Sequence, residues 1–319
     1  MKHLKLTLVV GVALLLTTSV FAQRYKIIQR QTTYNRDILF SFSDNPGMQD
    51  DDKRADFFLN ISQTELNKMA QANGMSPKSE IVTIYVDAAT GNFRTDTESY
   101  MGMESAFFYK DKKEMCTVMW EAGEFFCMNM AKMGDYQKQA QDAMKNMPDL
   151  EKMLQNIPDP AAREKAMQAL KGAQKGGMPV LPGQPAAMAK LKITKTGKTR
   201  KVDGDLQTQV RFTEGSERGI AWVSKKHMGL AKVAQAISAD MKKTFGGRAG
   251  GDIRGQIKDG FPVEIRTFEQ NMMRGQASLK IEIVTKIEKG FSGDVFEFDR
   301  SELTEKSPMS MGRSKTRKY

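Results

Sequence analysis

Reactive side chains are scarce in this chain of 319 residues, which carries two histidines, two cysteines and two tryptophans. One histidine, His3, lies in the first few residues, so His227 would have to serve any nucleophile–histidine–acid triad. It sits among Lys225, Lys226 and Met228, and no Gly-x-Ser-x-Gly precedes it. It reads as a polar residue near a helix start. A zinc centre lacks ligands, and Cys116 and Cys127 are not spaced as Cys-x-x-Cys, which argues against a thiol oxidoreductase. The glycine-rich GGRAGGDIRG neither follows a strand nor carries the lysine–hydroxyl pair of a phosphate loop. These scarcities point away from an enzyme and from a resident cofactor.

Long apolar runs are also missing, apart from the N-terminus. There MKHLK, a basic stretch, precedes LTLVVGVALLLTTSV and the small-residue site Val20-Phe21-Ala22. This is the pattern of a signal peptide over 1–22, cleaved after Ala22, and it predicts a periplasmic protein. The formal charge of +11 is partly terminal: Lys306, Arg313, Lys315, Arg317 and Lys318 make residues 305–319 a basic tail, expected to be disordered. Its alternatives are contact with an anionic membrane surface or simple solvation. Without basic–aromatic motifs, nucleic acid is not an expected partner.

What is present is period-two alternation. EIVTIYV, FRTDTES and MESAFFY read as strands, as do Met115–Trp120 and Glu124–Met130 around Glu121-Ala122-Gly123. Lys190–Lys201, Gln207–Thr213, Arg218–Ser224, Phe261–Phe268 and Ala277–Ile287 continue the series, and Phe291–Phe298 is expected to close it. In the longest, Ala277, Leu279, Ile281, Ile283 and Ile287 are predicted to share one buried face, leaving Lys280 and Glu282 on a wet one. Leu230, Val233, Ala234, Ile237 and Met241 recur at helical spacing over about 228–245. Residues 135–189, rich in Met, Gln, Lys and Pro, predict a helical insertion and a Gly/Pro connector. Within the less regular 23–76, Ser62-Gln-Thr-Glu65 predicts a capping box, Gly74 a helix stop, and Ile38–Phe42 a first strand.

The cysteines and methionines leave two questions open. In a tight hairpin about Ala122-Gly123, Cys116 opposes a residue near Met128 or Asn129; a small change of register would let Cys116 and Cys127 form a disulfide, and otherwise they are two buried thiols. Met130 with Met133 and Met144 with Met147 form Met-x-x-Met pairs, soft donors suited to copper(I), although methionine is also a common core filler.

The run TGKTRKVDGDLQTQVRF, GIAWVSKK, a helix, GFPVEIRTFE and ASLKIEIVTKIEKG resembles an exported bacterial domain-of-unknown-function family whose sheet is related to the LolA/LolB lipoprotein carriers. IVTIYVDAATGNFRTDTES resembles its earlier strand pair. The resemblance implies an α+β fold, a curved antiparallel half-barrel over helices, spanning 77–304 with the insertion at 135–189. It also implies an apolar cavity. The residues expected to line one are Trp120, Phe125, Phe126, Phe212, Trp222, Ile281 and Ile283, for an apolar or amphiphilic ligand such as a lipid, or for an envelope protein. A plain core is the competing reading of the same residues. A methionine-rich copper-binding protein is the alternative function.

Overall fold

The computed structural model describes residues 23–40, 51–132, 164, 191–244, 253–271, 276–291 and 294–306. The expected leader over 1–22, the expected helical insertion over 135–189 (Glu164 apart) and the basic tail beyond 306 lie outside the described residues.

The strands are β1 (Arg24–Tyr34), β2 (Lys78–Asp87), β3 (Phe93–Ser99), β4 (Gly102–Tyr109), β5 (Glu114–Met119) and β6 (Glu124–Asn129). After them come β7 (Lys192–Val202), β8 (Asp205–Glu214), β9 (Glu217–Ser224), β10 (Phe261–Asn271), β11 (Gln276–Lys289) and β12 (Thr304–Glu305). The helices are α1 (Arg36–Phe40), α2 (Asp51–Asn60), α3 (Gln63–Ala72) and α4 (Met228–Thr244). All twelve strands form one open sheet, in the order β12-β6-β5-β4-β3-β2-β1-β11-β10-β9-β8-β7. Pairing is antiparallel except between β12 and β6. The α+β class read from the alternation therefore holds at the level of a large antiparallel sheet with few helices.

β1 joins two hairpin arrays, pairing with β11 on one side and β2 on the other. Its burial changes face along its length. Tyr25 and Ile27 are buried near its start, while Thr32 and Tyr34, of the opposite parity, are buried near its end. The reason is that its two faces are covered at different heights. On one face α1, α2 and α3 bring Ile38, Leu39, Phe58, Leu59 and Leu66 onto Tyr34, Phe268, Leu279 and Ile281. On the other, α4 brings Leu230, Ala231 and Val233 onto Tyr25, Ile27 and Val86. Each fully buried Leu, Ile or Phe contributes about 1.5–3 kcal/mol by leaving water.

Several local expectations need correcting. Residues 36–40 are helical, with the Asn35 side chain accepting from Ile38 N at 3.1 Å; this end-of-strand asparagine starts a turn where a strand was expected. β11 does not keep one phase: Ile283 opposes Arg30 but Val284 opposes Gln29 and Ile287 opposes Ile27, so the bulge at Thr285 moves Ile287 to the α4 face. Glu282, expected to be wet, is buried on that face beneath Arg254, which donates to it at 2.8 Å. Residues 294–303 do not form a strand; they pass over the outer hairpins and place Phe298 and Leu303 on their core. The capping box is present as expected: Ser62 Oγ accepts from Glu65 N at 3.1 Å, and the Glu65 carboxylate accepts from Ser62 N at 3.2 Å.

Candidate functional site

The outer array, β2 to β6, shows how alternation divides a sheet. In an antiparallel pair, directly opposed residues share a face. Phe107 opposes Cys116, and Val118 opposes both Ser105 and Phe125. With Phe298 and Leu303 the apolar members make a buried cluster. Beside it runs a polar chain: Trp120 Nε1 donates to Ser105 Oγ at 2.8 Å, Ser105 Oγ to Asp96 at 2.6 Å, and Arg94 Nε to the same carboxylate at 2.6 Å.

The hairpin turn settles the cysteines. Met119 opposes Glu124, so the turn has four residues, Trp120 to Gly123, rather than the three assumed from the sequence. Gly123 takes φ +62 and its N–H donates to Trp120 O at 3.1 Å. That extra residue shifts the register by one and sets Cys116 opposite Cys127, with Cα atoms 4.0 Å apart and a disulfide between them. Arg300 donates to Glu114 at 2.9 Å and to Cys116 Sγ at 3.6 Å, tying the C-terminal segment to the bonded hairpin.

The opposite face of the same array carries side chains of a different kind. Its rows are Phe93–Phe108–Met115–Met128 and Thr95–Ala106–Thr117–Phe126, followed by Glu104–Met119–Glu124. Phe93 stacks on Phe108 at 5.1 Å, and α4 borders this end through Lys110–Asp240 at 2.8 Å. Met115, Met119, Phe126 and Met128 are half-buried and belong to none of the four buried clusters of described residues. The result is an apolar platform of thioethers and one ring, with a carboxylate rim at Glu104 and Glu124. Thioether side chains adapt to irregular apolar shapes.

The residues expected to line a common cavity are not brought together. Phe126 alone lies on the platform. Trp120 and Phe125 belong to the opposite face, Phe125 against Phe298 at 5.6 Å. Phe212 is in the inner array, packed with Val210, Ala221, Val223 and Ile265 and lying across Gly219, where a Cβ would meet its ring at 2.1 Å. Trp222 is beneath the Arg200 guanidinium at 4.3 Å, and Arg200 pairs with buried Glu264 at 2.7 Å. Ile281 and Ile283 belong to the core under α1–α3. For most of the set the plain-core reading is what the packing shows. Sequence reasoning missed Met115, Met119 and Met128, although their phase opposite Cys116 and Val118 was the available signal.

Two cavities among the described residues mix charged and apolar lining. One, of about 420 Å³, is lined by Arg24, Asp87, Tyr109, Lys112, Phe296 and Arg300, among others. Its groups are tied to one another: Arg24 to Asp87 at 3.1 Å, and Tyr109 Oη to Phe296 O at 2.6 Å. Burial pushes the Tyr109 hydroxyl up to about 12. The other, of about 360 Å³, is bounded by the ion pairs Arg211–Asp56 and Arg218–Asp52. His227 is half-buried, and burial followed by Lys226 lowers its pKa below that of a free imidazole. Of the copper donors, Met130 is buried at 2% exposure, and Met133, Met144 and Met147 lie outside the described residues. Glu114, Cys116 and Cys127 have ligand atoms within 4.8 Å of one another, but the disulfide withholds both sulfurs as thiolates.

No helix among the described residues is long and apolar enough to cross a membrane. No family model matches the chain. No curated protein matches it. Among solved structures the chain is similar to an uncharacterized conserved protein from Thermus thermophilus, at 6% identity and TM-score 0.38, covering 90% of this chain and 93% of that one. It is also similar to PNGF-II in two crystal forms, at 10% identity and TM-score 0.30, covering 91% of this chain. It spans 32% of the PNGF-II chain.

Proposed function

We propose that this is a non-enzymatic, exported binding protein of the bacterial periplasm. Its ligand-contacting surface is the platform of Met115, Met119, Phe126 and Met128, and its ligand is an apolar or amphiphilic envelope molecule. The observation that carries the reading is this half-buried apolar face with carboxylates along one border. An acyl chain or other flexible apolar group fits thioethers, and the charged border favours a ligand with one polar end. The Cys116–Cys127 bond supports an oxidising compartment, in keeping with the leader over 1–22. The half-barrel relationship to lipoprotein carriers belongs to this proposal too, with the ligand on the platform rather than among Trp222, Phe212 and Ile281.

The test uses mature protein and the probe N-phenyl-1-naphthylamine, with native mass spectrometry of protein purified from its own envelope. Wild type is expected to enhance probe fluorescence and to carry a co-purifying amphiphile. Phe126→Asp with Met128→Asp should weaken probe binding about tenfold or more while far-ultraviolet circular dichroism is retained. Equal binding by wild type and variant, with no co-purifying amphiphile, removes the proposal.

A further inference from the structure

The far end of the inner array carries a different surface. β7 and β8 are joined by Asp203-Gly204, with φ of +49 and +79, the tight two-residue turn that matches strand twist. Beyond it Leu206 opposes Lys201, and Gln207 opposes Ser224. Ser224 Oγ accepts from Lys226 N at 3.1 Å and opens the single turn Lys225–His227, which leads directly into Met228 of α4. This end of the sheet therefore exposes Leu206 on one face of the β7–β8 hairpin, Val202 on the other, and Met228 where α4 begins, at 61%, 41% and 36%.

The charges there are arranged to match. Lys195 and Arg200 on β7 are spent in pairs with Asp259 at 2.6 Å and Glu264 at 2.7 Å. Lys201, Lys225 and Lys226 make no ion pair among the described residues. The acids at the tip are Asp203 and Asp205, and Asp205 already accepts from Gln207 at 3.3 Å. The excess is positive.

We propose that this tip docks end-on on an anionic lipid surface, with Val202, Leu206 and Met228 entering the headgroup layer and Lys201, Lys225 and Lys226 meeting lipid phosphates. Exposed aliphatic side chains beside unpaired lysines suit that interface. No phenylalanine, tyrosine or tryptophan lies among them to stack a nucleic-acid base, and His227 is half-buried. Three apolar residues are also too few for a stable protein interface, which covers about 800 Å² per partner. The opposite end of the sheet supplies a contrast: Tyr100 and Met101 are 81% and 70% exposed, but Glu98, Glu104 and Glu121 surround that turn. The docking is independent of what the methionine platform takes.

The experiment is co-sedimentation of mature protein with vesicles of phosphatidylglycerol and phosphatidylcholine, beside pure phosphatidylcholine. Binding is expected to the anionic vesicles and to fall with added salt. Leu206→Glu with Met228→Glu should weaken it about tenfold, and Lys201→Ala with Lys225→Ala and Lys226→Ala by a similar factor. Met101→Glu should leave it unchanged. A Leu206→Trp variant places a reporter at the tip, whose emission should shift to the blue on anionic vesicles and be quenched by brominated lipid. A chain ending at Lys306 distinguishes the tip from the basic tail. Absence of vesicle binding overturns the proposal. So does binding that survives both tip variants, or that is lost only with the tail and leaves the Leu206→Trp emission unshifted.

Discussion

The inner array, β1 with β7 to β11, and the outer array, β2 to β6, are built from the same antiparallel hairpins but shelter their apolar faces differently. The inner array has helices on both faces, so Phe268, Leu279 and Ile281 are at most 1% exposed on one side while Val210 and Ile265 are buried on the other. The outer array has an irregular segment over one face and a methionine platform on the other. With a smaller core, it adds a covalent bond and an arginine clasp. A strand's alternation says that one face can be apolar; the neighbouring elements decide whether that face becomes core or contact surface.

The contrast is open to measurement, beginning with the strongest effect. Leu279→Ala or Phe268→Ala should cost about 3–5 kcal/mol in urea unfolding, because α1–α3 cannot collapse fully into the space left. An equal truncation on the platform, Met119→Ala, should cost less than half as much; equal costs would mean that the platform is core. Next is the buried pair Arg254–Glu282. Burial alone would raise the Glu282 pKa, but Arg254 and then Lys280 pull it below its usual value. A depressed folded-state pKa gives stability that is full above the unfolded carboxylate's value of about 4.3 and is lost as pH falls through the folded one. Glu282→Gln should cost about 3 kcal/mol at neutral pH and flatten the acid limb of the stability profile. An unchanged acid limb refutes the linkage.

The disulfide follows. Replacing both Cys116 and Cys127 by serine should cost about 2–3 kcal/mol, the value for a loop of this short separation. Hydrogen exchange should quicken in β5, β6 and β12 and stay slow in β9 to β11; uniform quickening would mean the arrays unfold as one unit. The smallest effect is at the surface. Ser62→Ala should cost about 1 kcal/mol through loss of the cap on α3, measured by thermal unfolding.

Most of the sheet is legible in the sequence. β3, at Phe93–Ser99, and the hairpins β8–β9 and β10–β11 stand out because runs rich in β-branched and aromatic residues are separated by short polar or glycine-containing turns. β1 does not, for the converse reason: Tyr25 and Ile27 are buried in one phase and Thr32 and Tyr34 in the other, so no single period-two pattern runs through RYKIIQRQTTY. The bulge at Thr285 hides the change of face at Ile287 in the same way. The cysteine register turns on one residue of loop length, which composition does not specify. The site is the least legible part. Phase groups Trp120 with Phe125 and separates both from Phe126, but it does not say which group a distant segment such as Phe298 and Leu303 will cover.

The position of β1 has a consequence for how the molecule is made. Every strand contact from β2 to β6 joins sequence neighbours, so that meander can zip up while synthesis is still under way. β1 emerges earliest of all the strands, yet it must wait for β11: its end at Tyr34 finds a partner only at Leu279. Until then one edge of β1 is unsatisfied, a sticky ribbon that invites pairing with the wrong chain. A nascent chain held unfolded until its last hairpin has arrived would escape that hazard.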